Sequence, residues 1–326
     1  MVKGYLKYDD VKIKYDFESS IRVFKDDLKI RVVHPKDYDI GTNGKDTTIL
    51  VSDSFGEGQK CGNINNISGC LSRLNQEKKI INLSYGGQTP AFYLQQIKKY
   101  FSSQKDNRKF ISGEKVIVSL YSNDIVLDPL YCDFFESKRS KLKKLMNKNE
   151  FDRLNKTCDS LLSLSKQKYK AIKNFRIPFR NQIKNVLGDY SFMLFRELFA
   201  QLNLQFSINK SIGRAQYIST WQDHSSGEVI LLAEVLDEMV STCRELNCNL
   251  LIATFPNVEN LSPDSKVRLS LLSFSKFMKD NYGIKIHDGY EPFISKKIKK
   301  ATHSLTDIHS SCKGYEIYAK WLADLK

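Results

Sequence analysis

The sequence lacks a long apolar run, and this absence limits what kind of protein it encodes. No window approaches the roughly 18 consecutive apolar residues that a membrane-spanning helix needs. The first ten residues, MVKGYLKYDD, also lack the apolar stretch of a signal peptide. We therefore predict a cytoplasmic protein, while a periplasmic or extracellular location stays open if these residues are part of a longer chain.

The cysteines lack the C-x-x-C or Cys/His spacing of a zinc site, so we predict no bound metal. We also predict no cofactor. The simplest interpretation of an odd number of scattered cysteines is that they are reduced thiols. Cys61 and Cys70 flank one short segment and could pair in an oxidising compartment. Cys243 and Cys248 are five residues apart on a predicted helix, so we expect them to point to different faces and not to pair. The seven are Cys61, Cys70, Cys132, Cys158, Cys243, Cys248 and Cys312.

A recognisable nucleic-acid-binding module is also missing, although the net charge is +14. Most of the excess lies between residues 137 and 214, which hold 18 Lys/Arg against five Asp/Glu. This segment is interpreted as a solvated helical lid, or as a surface that attracts an anionic glycan or membrane head groups. Nucleic acid is the least favoured partner.

Five short apolar runs, each bounded by turn residues, have the pattern of buried parallel strands. Helical patterns separate them, and this alternation predicts a three-layer α/β/α sandwich with a doubly wound, mostly parallel five-stranded sheet. The runs are TTILVSDS (47–54), KIINLSYGG (79–87), EKVIVSLYSND (114–124), NLLIATFPN (249–257) and GIKIHDG (283–289).

The remaining segments define the predicted domain organisation. Residues 1–45 alternate β-like runs with turn residues, which indicates a small N-terminal β extension. Residues 130–215 contain no strand run and carry long helical patterns, so we predict a basic helical insert or lid. The catalytic domain would then comprise 46–129 and 216–326.

Polar residues follow three of the predicted strands. Ser54 comes at the end of the first, followed by glycines whose turn amides could stabilise an oxyanion. The backbone N–H of Ser84 after the second strand and the side chain of Asn123 after the third could point at the same centre. Because active sites form at the carboxyl ends of parallel strands, the sequence predicts a serine nucleophile there.

Asp307 and His309 precede the last predicted helix and could supply the base. A histidine on such a loop can reach a serine at the sheet edge, and a nearby carboxylate can hold its ring. His303 is a rival, but no carboxylate is as close to it in sequence. The other histidines, His34, His224 and His287, are interpreted as structural or exposed.

Together these segments resemble the SGNH (GDSL-like) hydrolase family, over about residues 46–126 and 226–326. Ser52 and Ser84 stand where that family has glycines. The four resembling blocks, in order, are Ser52-Asp53-Ser54-Phe55 for its Gly-Asp-Ser block, Asn82-Leu83-Ser84 for its Asn-x-Gly block, Ser122-Asn123-Asp124 for its Gly-x-Asn-Asp block and Asp307-x-His309 for its closing block.

The resemblance implies a flavodoxin-like fold and a set of roles. Ser54 would attack an acyl ester, His309 would act as the base and Asp307 would orient it. The N–H groups of Ser54 and Ser84, with the Asn123 side chain, would form the oxyanion hole. The implied function is an esterase or deacetylase acting on O-acyl groups of a carbohydrate. The alternatives are an O-acetyltransferase that modifies a polysaccharide or glycan, and a non-catalytic descendant that binds a glycan or surface.

Overall fold

The structure is a computed structural model, and the residues it describes lie in several stretches. For the described residues up to 32, and for 103–104 and 164–171, the description concerns the backbone alone. The described stretches are 5–8, 11–15, 21–25, 28–32, 47–58, 61, 65–75, 78–104, 114–171, 220–302 and 309–325.

Five parallel strands form the centre of the fold, which confirms the predicted fold class. They lie in the order β6-β5-β7-β8-β9, with Ile49 of β5 opposite Ile81 of β6 and Val116 of β7. The apolar residues of β5 and β7 are buried on both faces of the sheet. The strands are β5 (Thr47–Val51), β6 (Lys79–Asn82), β7 (Lys115–Leu120), β8 (Asn249–Thr254) and β9 (Ile286–His287).

The N-terminal extension continues the same sheet. Its four antiparallel strands lie side by side, and the last of them, β4, pairs with β6, where Val32 lies opposite Ile81. The edge of β6 would otherwise present unpaired N–H and C=O groups, and β4 pairs with them. The extension therefore brings the sheet to nine strands among the described residues. Its strands are β1 (Tyr5–Tyr8), β2 (Val11–Tyr15), β3 (Ile21–Lys25) and β4 (Leu28–Val32).

Ten helices can be assigned in the described part of the chain. Several begin with a capping side chain, such as Asn66 before α2 and Ser311 before α10. They are α1 (Ser54–Glu57), α2 (Ile67–Leu74), α3 (Pro90–Gln104), α4 (Pro129–Ser137), α5 (Arg139–Leu145), α6 (Lys148–Ala171), α7 (Gly227–Glu245), α8 (Lys266–Tyr282), α9 (Glu291–Ile294) and α10 (Cys312–Asp324). Within the described stretches, none is long and apolar enough to cross a membrane.

The order of the strands locates the edge where a site can form. The chain passes from β5 to β6 in one direction and from β6 to β7 in the other. Right-handed crossovers then place α2 and α3 on opposite faces of the sheet, since the direction of travel has reversed. A crevice opens at such a reversal, beyond the carboxyl ends of the strands. Here it lies beyond β5 and β7.

The chain divides into two compact units, Met1–Asp124 with Leu232–Lys326, and Ile125–Leu231. The second unit contains α4, α5 and α6, where the Phe135 and Phe151 rings lie 5.3 Å apart. Some of its positive charge is paired locally, because Arg139 contacts Glu136 and Arg153 contacts Glu150, both at 2.7 Å. The predicted insert boundaries, 130 and 215, fall inside this unit and remain predictions.

Four of the seven cysteines form two disulfides, and this corrects the prediction of reduced thiols. Cys61 pairs with Cys312, 251 residues away, and not with Cys70. Cys132 on α4 pairs with Cys158 on α6. Sequence spacing could not show the first pair, because only the folded sheet brings the start of α10 beside the segment that follows α1.

Candidate active site

Ser54 lies where the chain leaves β5 and enters α1. Asp53 caps this four-residue helix by accepting the Phe55 N–H at 3.0 Å, and Gly58 ends it in a left-handed conformation. Ser52, fully buried, donates through Oγ to the Ser119 carbonyl at the end of β7 (2.8 Å). The turn is therefore fixed between two strands, and it leaves Ser54 partly exposed.

Asn82, at the end of β6, ties this turn to its neighbours. Its Nδ2 donates to the Gly56 carbonyl and to Ser68 Oγ, both at 3.0 Å, and its Oδ1 accepts the Ser84 N–H at 2.9 Å. The side chain is fully buried and both ends of the amide are satisfied. Asn82 thus fixes α1 against β6, a role that the sequence analysis did not assign.

Gly56 allows the close packing of these elements. A Cβ at this position would lie 2.4 Å from Ser52 Cβ and 2.5 Å from Ser84 Oγ. Any other residue would push α1 away from the ends of β5 and β6. Packing therefore requires a glycine at position 56, two residues after Ser54.

His309 reaches the same point from the segment before α10. Its Nε2 lies 3.1 Å from Ser54 Oγ, within hydrogen-bond distance. The imidazole also packs on the Phe55 ring, with centroids 4.9 Å apart, and Phe55 lies against Tyr121 and Phe255. A serine hydroxyl and an imidazole in this arrangement can act as nucleophile and general base.

Two carboxyl groups are buried near each other here, that of Asp53, which precedes Ser54 in the chain, and that of Asp124. Asp124 accepts from the Tyr93 hydroxyl (2.9 Å) and from the Tyr121 N–H (2.8 Å). Burial raises the pKa of Asp53 to about 7, although the Phe55 N–H and the side chains of Asn123 and Ser52 act in the opposite direction. Burial, and then the nearby Asp53 charge, raise the pKa of Asp124 well above its ordinary value.

The loop after β6 determines which backbone N–H groups can face an oxyanion. The Ser84 N–H donates to Asn82 Oδ1, the Tyr85 N–H to the Ser52 carbonyl (3.1 Å) and the Gly86 N–H to Glu57 Oε2 (3.0 Å). Among the described residues the Gly87 N–H has no acceptor, and a Cβ there would meet nothing within 4 Å. For Ser84 to take its predicted oxyanion role, its N–H would have to break the hydrogen bond to Asn82 Oδ1 or share it with the oxyanion.

The other predicted residues are distributed as follows. Asn123 is exposed beyond β7, near enough to Asp53 to influence its pKa. Asp307 and the rival His303 lie outside the described residues, as does His34. His287 lies on β9, and His224 lies in the second unit. Across the described stretches, no group of three or more His, Cys, Asp or Glu could hold a metal ion.

Comparison with known proteins gives a limited result. Neither a protein-family model nor a curated protein matches the chain. Solved structures that align with it include a catalytic mutant of an acetylxylan esterase from Geobacillus stearothermophilus (9% identity, 88% of this chain and 97% of that one, TM-score 0.44).

Two further structures align comparably. One is an extracellular lipase from Streptomyces rimosus (10% identity, 85% and 97% coverage, TM-score 0.43). The other is a member of the lipolytic protein G-D-S-L family from Veillonella parvula (10% identity, 84% and 94% coverage, TM-score 0.39). Identities this low carry no information on substrate, so the assignment of the site rests on its geometry.

Proposed function

We propose that this protein is a serine-dependent acyl-ester hydrolase that acts through an acyl-serine intermediate. The observation that carries the proposal is the 3.1 Å contact between Ser54 Oγ and His309 Nε2 at the carboxyl edge of the sheet. Neither residue is fully buried, so a substrate can approach the hydroxyl. A nucleophile paired with a base at this edge is the arrangement that acyl transfer needs.

The reaction would proceed in two halves. His309 accepts the Ser54 proton while Oγ attacks the ester carbonyl, and the protonated imidazole then gives the proton to the leaving alcohol. In the second half His309 removes a proton from water, which attacks the acyl-serine and releases the acid. Asp307, two residues before His309, is proposed to orient the ring and to stabilise its protonated form.

The negative charge on the tetrahedral intermediate would be stabilised by donors from three strand ends. We assign this role to the Ser54 N–H, to the Asn123 side chain and to the loop that follows β6. Within that loop the proposal favours Gly87 over Ser84, because the Ser84 N–H already has Asn82 Oδ1 as its acceptor. The Gly87 backbone has a φ of 73°, which suits glycine best, in keeping with a special role.

The proposed substrates are O-acyl groups of a carbohydrate, which the SGNH resemblance implies, and the basic segment is proposed to attract an anionic glycan or membrane surface.

The two disulfides favour the periplasmic or extracellular alternative for the location of the protein, since disulfides persist in oxidising compartments. If a sugar hydroxyl replaces water in the second half-reaction, the same acyl-serine gives an O-acetyltransferase. Mass spectrometry of candidate sugars, after incubation with the protein and an aryl acetate, would detect the acetylated sugar.

Hydrolysis of an aryl acetate by the Ser54→Ala variant tests the proposal. We expect kcat to fall by about 10³-fold or more, because the nucleophile of the covalent route is removed. Ser160→Ala, an exposed serine on α6, is the matched control and should keep full activity. Unchanged turnover in Ser54→Ala, with both variants folded, would rule out the proposed nucleophile.

A further inference from the structure

A second site lies on the first unit, away from the carboxyl edge of the sheet. A cavity of about 550 Å³ is lined at the C-terminal end of α7 and the beginning of β8 by two free cysteines, Cys243 and Cys248. Cys243 is buried, whereas Cys248 is partly exposed. Both sulfur-bearing residues therefore border one solvent-connected space.

The backbone brings these two residues together. Helix α7 ends at Glu245, Asn247 takes a left-handed conformation (φ 54°), and the Cys248 N–H donates to the Cys243 carbonyl at 2.8 Å. The expectation that the two cysteines point to different faces of one helix is therefore wrong. It assumed a helix that continues through Cys248, whereas the chain turns back before it.

This hydrogen bond sets an upper limit on the separation of the two α-carbons. A carbonyl oxygen lies about 2.4 Å from its own Cα, and an amide nitrogen about 1.5 Å. With the 2.8 Å bond between them, the α-carbons are at most about 6.7 Å apart, inside the limit of about 7 Å for a disulfide. The α-carbon separation of the pair is therefore within the range of a disulfide.

The surroundings favour attack by Cys248 on an anionic disulfide. Arg244 and Lys285 also line the cavity and supply positive charge. A hydrogen bond from Cys243 lowers the pKa of Cys248, while burial and the Glu114 carboxylate oppose the shift. A lowered pKa increases the thiolate fraction, and the thiolate is the form that attacks a disulfide.

We propose that Cys243 and Cys248 form a redox-active dithiol that closes to a third disulfide when it reacts with a small anionic disulfide such as oxidised glutathione. The Cys248 thiolate attacks one sulfur of glutathione disulfide, releasing one glutathione and forming a mixed disulfide. Cys243 then attacks the Cys248 sulfur and releases the second glutathione. Two electrons and two protons pass from the protein to the oxidant, so the exchange balances.

Peptide mapping provides a direct test, because Arg244 separates the two cysteines. The non-reduced chain is treated with oxidised glutathione, alkylated with N-ethylmaleimide and digested with trypsin. We expect peptides 215–244 and 245–266 to appear as one cross-linked species, with loss of both alkylation adducts. Alkylation of both cysteines, a mixed disulfide that persists, or a cross-link from either cysteine to Cys70 would overturn the proposal.

A variant and a second reagent complete the test. In Cys248→Ser, Cys243 should remain free of any cross-link after the same treatment. Phenylarsine oxide, which bridges two neighbouring thiols, should protect Cys243 and Cys248 together from alkylation in the untreated wild type, and it should not protect Cys243 in Cys248→Ser. Equal alkylation with and without the arsenical would also contradict a neighbouring pair.

Discussion

The two segments that meet at the site are held in different ways. The segment of the proposed nucleophile, residues 51–58 (the nucleophile segment), is fixed by hydrogen bonds to the ends of β6 and β7, with Asn82 and Ser52 as the buried links. The histidine segment, residues 309–312, is fixed by a short pairing with residues 301–302 and by the Cys61–Cys312 disulfide. One half of the site therefore depends on a buried polar network, and the other on a covalent link.

This difference has a mechanistic consequence. The buried hydrogen bonds of Asn82 and Ser52 hold the turn that carries Ser54 before substrate arrives. His309 reaches Ser54 from a segment that the Cys61–Cys312 disulfide tethers three residues further along the chain, so we expect its distance to Ser54 Oγ to depend on that bond. Substitutions in the two segments should therefore lower activity for different reasons. Those near Ser54 break its hydrogen bonds to the sheet, and those at Cys61 or Cys312 release the segment that carries His309.

The largest expected effect comes from removing the residue through which the two segments meet. His309→Ala should lower kcat for aryl acetate hydrolysis by about 10³-fold or more, because Ser54 loses its general base. Added imidazole should restore part of the activity. His224→Ala is the matched control and should leave kcat unchanged. Loss of less than a factor of ten in His309→Ala would place the base elsewhere.

Asn82→Ala tests the nucleophile segment. The substitution leaves the Ser84 N–H and the Gly56 carbonyl without their buried partner, so we expect the free energy of unfolding to fall by about 3 kcal/mol. We also expect kcat to fall by about 10²-fold as Ser54 shifts. Denaturant unfolding and aryl acetate kinetics measure the two effects. Asn281→Ala, on the exposed face of α8, is the control.

Removal of each disulfide tests the tether of the histidine segment. The double variants Cys61→Ser/Cys312→Ser and Cys132→Ser/Cys158→Ser should each lose about 3 to 5 kcal/mol of stability. At an assay temperature well below the Tm of both variants, only the first should also show a lower kcat, by about tenfold, because only that variant frees the segment of His309. Equal kcat in the two variants would show that the Cys61–Cys312 bond stabilises the fold without positioning the base.

The last prediction concerns the pH dependence of stability, with no change in activity expected from it. The pKa of Asp53 is about 7 in the folded protein and about 3.8 when unfolded, so between these values the folded state holds a proton that the unfolded state has lost. Its contribution to stability is fully present below pH of about 3.8 and is lost as the pH rises through about 7. Asp53→Asn keeps a helix-capping side chain and should flatten this part of the curve of Tm against pH. Parallel curves for variant and wild type would contradict the shift.

The sequence predicted more of the sheet than of the contacts that complete the site. The alternating strand and helix patterns predicted the parallel sheet, the polar residues at strand ends singled out Ser54, and the segment before the last helix singled out His309. They could not show that Asn82 uses its whole amide to join β6 to α1, because that role depends on packing around Gly56. They also missed the Cys61–Cys312 pair, because local spacing carries no information about residues 251 positions apart.

The turn at Cys243 and Cys248 gives a similar lesson on a smaller scale. Helical periodicity continues to the end of α7. The left-handed position that follows the helix is occupied by Asn247 and not by glycine, the residue that usually signals a helix end. Because the predicted helix extended a few residues too far, two neighbouring cysteines were predicted to point apart. Side-chain direction near a helix end is thus the part of the prediction most sensitive to small errors.

Labelling with a fluorophosphonate tests most directly the claim that Ser54 is a nucleophile activated by His309. Peptide 46–60 contains both Ser52 and Ser54, so fragmentation must locate the adduct within it. We predict a single adduct on Ser54 Oγ in the wild type, and much slower labelling in His309→Ala. An adduct on any other residue, or none in a preparation that hydrolyses aryl acetate, would contradict the account.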